Sequence, residues 1–311
     1  MSAKLQIRTT RWAFDLSTWS PTLTQLTQAV AAVQTEEQAR LIKFYFINDF
    51  LSSLVGRLLM RKYVSQCTHL PYHEVKFARD VRGKPYWVQN YEDGQQQQAS
   101  QSQQLLSFNV SHQGSLVILT GMQKLSPSDT SNDDAAAAAT DEFGIGCDVM
   151  KIEYSGGKDL KEFFRLMHRK FADSEWRFIT QPHFNQQQQL KAFMRHWCLK
   201  EAYVKELGVG ITIDLQKIAF SVDTSNELLV ESSPLIGTTL KCNDVPMYNW
   251  YFEEHMLHPK YCAAIAFRNH KPETKETFTF QKIEDLLRPS EHADNADIVE
   301  YCRKVLKKPI K

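Results

Sequence analysis

Trp197-Cys198-Leu199-Lys200-Glu201-Ala202-Tyr203-Val204-Lys205 is the stretch on which the reading of the chain turns. It reads as part of a helix that opens near Leu190 and closes at Gly208, a glycine past the last periodic residue being a common helix stop. At about 100° per residue, Leu190, Phe193, Met194, Trp197 and Val204 share one apolar stripe. Glu201 falls on the same stripe, with Lys205 one turn on. A carboxylate on a buried face is costly unless a cation or a metal ion pairs with it. Lys205 at i+4 offers the first, and Asp148, far back in the chain, is a candidate for helping to supply the second.

Asp148 sits in Phe143-Gly144-Ile145-Gly146-Cys147-Asp148-Val149-Met150, which alternates as a strand. Gly144, Gly146, Asp148 and Met150 take one face, and glycines beside an acid let another group approach the backbone closely. Read alone, Asp148 is equally a strand-end carboxylate that caps a loop. Residues 158–171 form an amphipathic helix, and Asp173-Ser174-Glu175-Trp176 starts another. The Gln run from Asn185 to Gln189 reads as loop or helix lead-in. Strand is expected from Ile211-Thr212-Ile213, then at Ile218 to Val222, Tyr248 to Phe252 and Cys262 to Phe267. The tail is charged, with weak helices at Ile283 to Leu287 and Ile298 to Leu306 and no assigned chemistry.

The first half opens with a short strand, Arg11-Trp12-Ala13-Phe14, and a helical stretch from Ser20-Pro21. Thr35-Glu36-Glu37-Gln38 has the form of a capping box. A long helix follows to Leu59, broken near Asn48-Asp49 and decorated by Arg40, Arg57, Arg61 and Lys62, each of which alone reads as a solvated charge. Val75 to Asp80 alternates like a strand and Val81-Arg82-Gly83-Lys84-Pro85 turns it. Arg79, Arg82 and Lys84 around Gly83 either offer charge and backbone N–H groups to a phosphate or make an ordinary basic turn. Leu105 to His112 is strand, turned at Gln113-Gly114, with Asn109 and Ser111 on one face and Phe108 and Val110 on the other. Asn109-Val110-Ser111-His112 at a strand end suits phosphate, although a lone His112 there is more often structural. Residues 91–104 are Gln/Ser-rich loop, and 123–142 are a low-complexity linker. The division expected is 1–122, linker 123–142, 143–270 and a tail 271–311; no sequence repeat joins the halves.

Composition narrows the classes. A chain of 311 residues suits two domains of about 150 residues. Hydrophobic residues at 42% and charged residues at 23% are globular values. Lys+Arg of 37 against Asp+Glu of 36 leaves +1, so bulk charge gives no argument for nucleic acid. The six cysteines show no C-x-x-C and no zinc spacing. There is no signal-like N-terminus and no apolar run that spans a bilayer. A soluble cytosolic monomer is expected, binding neither membrane nor nucleic acid.

Arg82-Gly83-Lys84-Pro85, Asn109-Val110-Ser111-His112, Gly144-Ile145-Gly146-Cys147-Asp148 and the Trp197 to Lys205 stretch occur in that order. Together they resemble the 4′-phosphopantetheinyl transferases, closest to the animal members, over about Arg11 to Phe267. The resemblance implies an α/β fold, a pseudo-dimer of two similar halves with the active site between them. It implies transfer of phosphopantetheine from coenzyme A to a serine of apo carrier-protein domains, those of fatty-acid synthase and aminoadipate-type reductases being expected. It makes Asp148 and Glu201 the ligands of Mg²⁺, and Glu201, Lys205 and Asp148 the catalytic set. Lys205 would neutralise phosphate, and Glu201 would take the serine proton. Arg40, Arg79, Arg82, Gly83, Lys84, Asn109, Val110, Ser111 and His112 would serve the coenzyme. Many relatives carry Asp-x-Glu where this chain has Asp148-Val149-Met150. A thioether is a poor ligand for a hard ion, so two protein carboxylates and an extra water are expected. The rival readings are a non-catalytic coenzyme A- or nucleotide-binding module, and a scaffold in which Glu201–Lys205 is only a helix salt bridge.

Overall fold

The computed structural model describes residues 6–89, 106–125, 143–154, 156–157, 159–210, 212–224, 233–288 and 293–311. The Gln/Ser loop and residues 126–142 of the linker lie outside the described residues, as does Ile211. The chain is mixed α/β and divides into two compact units. The first comprises the described residues of 1–10, 99–109 and 120–278; the second, those of 11–98, 110–119 and 279–311.

The second unit holds α1 (Leu23–Ala31), α2 (Thr35–Leu41) and α3 (Ile47–Thr68). Thr22 caps α1 with a full capping box to Gln25. The box expected at Thr35 is absent. Gln34 is the N-cap, and Gln38 turns instead to the carbonyls of Val30 and Val33 at 3.0 and 2.7 Å, closing the end of α1. The helical run breaks at 42–46, ahead of Asn48-Asp49, which lie in the first turn of α3. The C-terminal residues stitch that break: Ile47 N–H donates to Pro309 O at 2.9 Å, and Lys308 Nζ donates to the carbonyls of Ile42 and Phe44. A two-stranded hairpin, β2 (Phe77–Arg79) and β3 (Pro85–Trp87), carries the basic turn.

The remaining early strands are β1 (Gln6–Asp15), β4 (Leu106–Gln113) and β5 (Leu116–Leu125). They lie in a sheet whose order is completed by a short strand of the tail, Thr279–Phe280, parallel to β1 at Trp12 and Ala13. The tail is therefore built into the fold. Its helix, Ala296–Leu306, packs on α1, and Tyr301 Oη donates to Gln38 O at 2.8 Å.

The first unit is organised by β6 (Gly144–Lys151), α4 (Leu160–Met167), α5 (Asp173–Ile179) and α6 (Gln186–Leu207). Asn185 caps α6 with Gln188 in a capping box, and Gly208 ends it at φ 65°. The Gln run is thus the first turn of the helix, which starts four residues earlier than the apolar pattern suggests. Residues 212–213 are turn, and a 3₁₀ turn at Leu215–Lys217 precedes β7 (Ile218–Ser221), so strand starts later than expected. Beyond it come β8 (Thr239–Cys242) and β9 (Val245–Pro246), then β10 (Trp250–His258) and β11 (Tyr261–Arg268). β10, β11 and β6 form an antiparallel sheet in that order, with Asp148 opposite Ala264 and Gly146 opposite Ala266.

These small residues let α6 lie close on the sheet. A Cβ at Gly146 would stand 2.1 Å from Ala202 O, and one at Gly144 would strike the Glu206 side chain at 1.7 Å. Glu206 is held there by Arg268 Nε at 2.8 Å, the residue in register with Gly144. The glycines of Gly-x-Gly-x-Asp are spacers for the helix that carries Glu201.

Candidate active site

Asp148 is the third residue of the glycine face of β6, so it points at α6 from beneath. It is buried, and Lys205 Nζ lies 2.6 Å from its Oδ1. Glu201 stands one helical turn before Lys205. Burial, then the charge of Asp148, push the Glu201 carboxyl above its ordinary range, with Lys205 opposing them. Burial pulls the Lys205 ammonium down, but the charge of Asp148 and the hydrogen bond to it outweigh that pull, and the net shift is upward. Asp148 and the Glu201–Lys205 pair, far apart in sequence, therefore form one electrostatic group: two carboxylates that feel each other and one cation beside them.

The surroundings of α6 differ from the sequence expectation. Phe193, Met194 and Val204 are buried, Leu190 and Trp197 are half-buried but pack against the same apolar cluster, and Glu201 is half-buried. Polar residues occupy the deeper positions because each has a partner. Arg195 is paired with Glu254, to which Thr238 also donates. Lys200, wholly buried, is 2.8 Å from Glu175 and donates to the carbonyls of Leu215 and Ile218. Burial draws Glu175 up and Lys200 down, and their mutual attraction resists both shifts. Paired charges pass as core, and Glu201 lies on a half-buried side of the helix. Neither Glu175 nor Glu254 stands out in the sequence; the only signal was a lysine adjoining Glu201 with no role.

Asn109 has a holding position. Its Oδ1 accepts from Cys147 N–H at 3.2 Å, and its carbonyl accepts from Cys147 Sγ at 3.4 Å. Ser107 does the same for Ile145 N–H at 3.2 Å. β4 thus fixes β6 on either side of Gly146. Val110 is half-buried, Ser111 buried and His112 exposed.

In the second unit the turn is closed by its own acid. Asp80 Oδ1 accepts from Arg82 N–H at 2.9 Å and Lys84 N–H at 2.8 Å, and Gly83 N–H donates to Asp80 O. Gly83 has φ 87°, where a glycine avoids strain. Those backbone N–H groups are committed within the turn, so what it offers an anion is side-chain charge. Arg79 is bound to Glu37 through Nε at 2.8 Å and Nη2 at 2.6 Å, and Arg57 Nε reaches the same carboxylate at 2.7 Å. Arg40 Nε is 3.5 Å from it and largely exposed. Burial raises the Glu37 carboxyl, but Arg79 and Arg57 overcome this and hold it down at about 2. This cluster is not legible in the sequence, where Glu37 reads as part of a helix cap.

A model of the 4′-phosphopantetheinyl transferase superfamily matches residues 144–266, and one of the 4′-phosphopantetheinyl transferase N-terminal region matches 17–124. The L-aminoadipate-semialdehyde dehydrogenase-phosphopantetheinyl transferase of Xenopus laevis is 31% identical over 287 residues, 89% of this chain and 85% of that protein. The chain belongs to the 4′-phosphopantetheinyl transferase family. The human protein of the same name is 31% identical, covering 83% of this chain and 74% of its own length. A Thraustochytrium phosphopantetheinyl transferase is 28% identical, covering 83% and 78%. The superfamily match contains Asp148, Glu201 and Lys205; the N-terminal match contains Arg40, Arg79, Arg82, Lys84 and Asn109 to His112.

The family typically uses a divalent metal, and the residues fit one. Among the described residues no group of three or more His, Cys, Asp or Glu gathers to hold an ion. Asp148 and Glu201 nevertheless bring hard oxygen donors, and the charge of Asp148 helps to push the Glu201 carboxyl up. Two carboxylates with the other positions left to water and substrate is a usual arrangement for Mg²⁺. Met150 packs with the apolar cluster of this unit. Among the described residues, no helix is long and apolar enough to cross a membrane.

Proposed function

We propose that the chain transfers 4′-phosphopantetheine from coenzyme A to a serine of apo carrier-protein domains with Mg²⁺ bound, releasing adenosine 3′,5′-bisphosphate, the holo-[acyl-carrier-protein] synthase reaction. The serine oxygen bonds to the phosphorus that bears the pantetheine arm. The bond from that phosphorus to the bridging oxygen of the diphosphate breaks, and the bisphosphate leaves with the electron pair. The observation that carries this reading is the convergence of Asp148 with Glu201 and Lys205 on the half-open side of α6.

Asp148 and Glu201 would hold the ion, which supplies charge neutralisation on the diphosphate when bound. Glu201 accepts the serine proton. Lys205 releases Asp148 to meet phosphate charge and donates to the leaving oxygen. Arg40, Arg82, Lys84, Ser111 and His112 serve the phosphates and adenine end of the coenzyme, and Arg79 serves them through the turn it holds. Carrier domains of fatty-acid synthase and of aminoadipate-type reductases are the acceptors, used by a cytosolic monomer.

Intact-mass spectrometry of an apo carrier domain incubated with coenzyme A, Mg²⁺ and this protein tests the reading. The expected result is a gain of one phosphopantetheine, lost with Glu201→Gln and with a chelator. No gain with several carrier domains overturns it in favour of a coenzyme A-binding module. A gain that survives Glu201→Gln keeps the enzyme and moves its centre.

A further inference from the structure

α2 is joined to the basic hairpin at two points one helical turn apart. Gln34 makes a reciprocal pair with the Phe77 backbone, accepting from its N–H at 2.7 Å and donating to its carbonyl at 3.2 Å. Three residues on, Glu37 takes both Nε and Nη2 of Arg79, two residues further along the strand. The third arm of that guanidinium, Nη1, donates to Gly83 O at 2.8 Å, inside the turn. Glu37 is braced from the other side by Arg57 Nε at 2.7 Å and Nη2 at 2.6 Å, and Arg57 Nη1 is tied to Ser53 O at 2.8 Å on α3. Glu37, Arg57, Arg61 and Arg79 line a pocket with Phe77 and Pro85.

Arg79 therefore has each of its three nitrogens engaged by the protein. A guanidinium whose Nε/Nη2 fork is closed on a carboxylate and whose Nη1 is held by a carbonyl is less suited to direct bidentate capture of a phosphate. It is well placed to fix Gly83, on either side of which stand Arg82 and Lys84. We propose that Glu37 is a positioning residue: through Arg79 and Gly83 O it sets the basic turn so that Arg82 and Lys84 meet the phosphates of coenzyme A. This rests on the transferase reading above. It makes Arg79 a strut and leaves phosphate contact to the turn's other cations.

Glu37→Gln keeps the shape of the side chain and removes the charge that gathers two arginines. The expected result is a KM for coenzyme A raised about tenfold with kcat within twofold, since binding is loosened and the reacting groups are untouched. Amide exchange at residues 81–84 should quicken, and Glu37→Asp, which keeps the charge with a shorter reach, should restore part of the KM. Thermal unfolding, followed in parallel, reports any general loss of structure. Unchanged KM with wild-type exchange at the turn overturns the proposal. So does a fall in kcat that tracks the melting temperature, which marks a merely structural residue. Wild-type protein that neither binds nor uses coenzyme A would instead remove the transferase reading, and this inference with it.

Discussion

α3 and α6 belong to different units, yet each is 22 residues long and each buries a cation at its fifteenth residue, Arg61 and Lys200. Both cations pin the chain that follows the helix by donating to two carbonyls three residues apart. Arg61 Nη1 donates to Tyr72 and Val75 at 2.7 and 2.5 Å; Lys200 Nζ donates to Leu215 at 2.9 Å and to Ile218. Both lie near two aromatic rings, Tyr72 and Phe77 for one, Phe171 and Phe220 for the other. The difference lies in the next residue. α3 has Lys62, which donates to Gln281 and sits 5.1 Å from the Trp12 ring centroid; α6 has Glu201. The close approach is also reversed: the glycine is on the helix in α3, where a Cβ on Gly56 would meet Val110 at 3.1 Å, and on the strand in front of α6. The skeleton is repeated, and in the reading proposed above the chemistry is carried by a few substitutions on it.

The two buried cations separate first by their counter-charge. Lys200 has Glu175 at 2.8 Å, so removing the lysine strands a buried carboxylate. Lys200→Met should cost about 3–5 kcal/mol of unfolding free energy by urea titration, and adding Glu175→Leu should recover much of it. If the single variant costs less than about 1 kcal/mol, the ion pair is not what fixes α6, and the likeness to Arg61 loses its meaning.

The sixteenth position is sharpened by copying one helix into the other. Glu201→Lys gives α6 the residue type of α3. It should lower kcat about 10²–10³-fold, the range for losing one preorganised charge at a reacting centre. The urea midpoint should hardly move, because Glu201 is only half-buried. A loss of activity that comes with unfolding would place Glu201 in the scaffold instead.

The likeness of the halves was hidden in the sequence, and the reason is physical. Arg61 and Lys200 look like surface charges until their carbonyl partners, 11 to 18 residues downstream, are folded back on them. Periodicity located α6 and β6, and with them Asp148, Glu201 and Lys205, because glycine spacing and helical spacing are local. It did not show that Arg195, Lys200 and Glu206 are buried beside that apolar stripe, because counting apolar residues cannot see that they are neutralised by Glu254, Glu175 and Arg268. Glu37 was missed for the same reason: two of its cationic partners stand 20 and 42 residues away.

Acid should pull the two helices apart at their eleventh residues, Arg57 and His196. His196 is buried with Nδ1–H donating to Ala192 O at 2.9 Å, and desolvation brings its pKa from 6.5 down to about 3. The unfolded chain therefore takes up a proton that the folded chain refuses. The stability due to neutral His196 is complete above pH 6.5 and drains as pH falls towards about 3, amounting to about 2 kcal/mol lost by pH 5. Arg57 acts through Glu37, whose pKa falls from 4.5 to about 2 on folding, so that contribution is intact at pH 5 and is lost only between about 4.5 and about 2. Urea unfolding at pH 7, 5 and 3.5 resolves the two. His196→Asn should flatten the fall between pH 7 and 5 and also reduce the fall between 5 and 3.5; Glu37→Gln should leave the fall between 7 and 5 in place and reduce only that between 5 and 3.5. If neither variant alters its own window, the burial of His196 and the arginine clamp on Glu37 do not govern acid stability, and the contrast between the two helices is confined to catalysis.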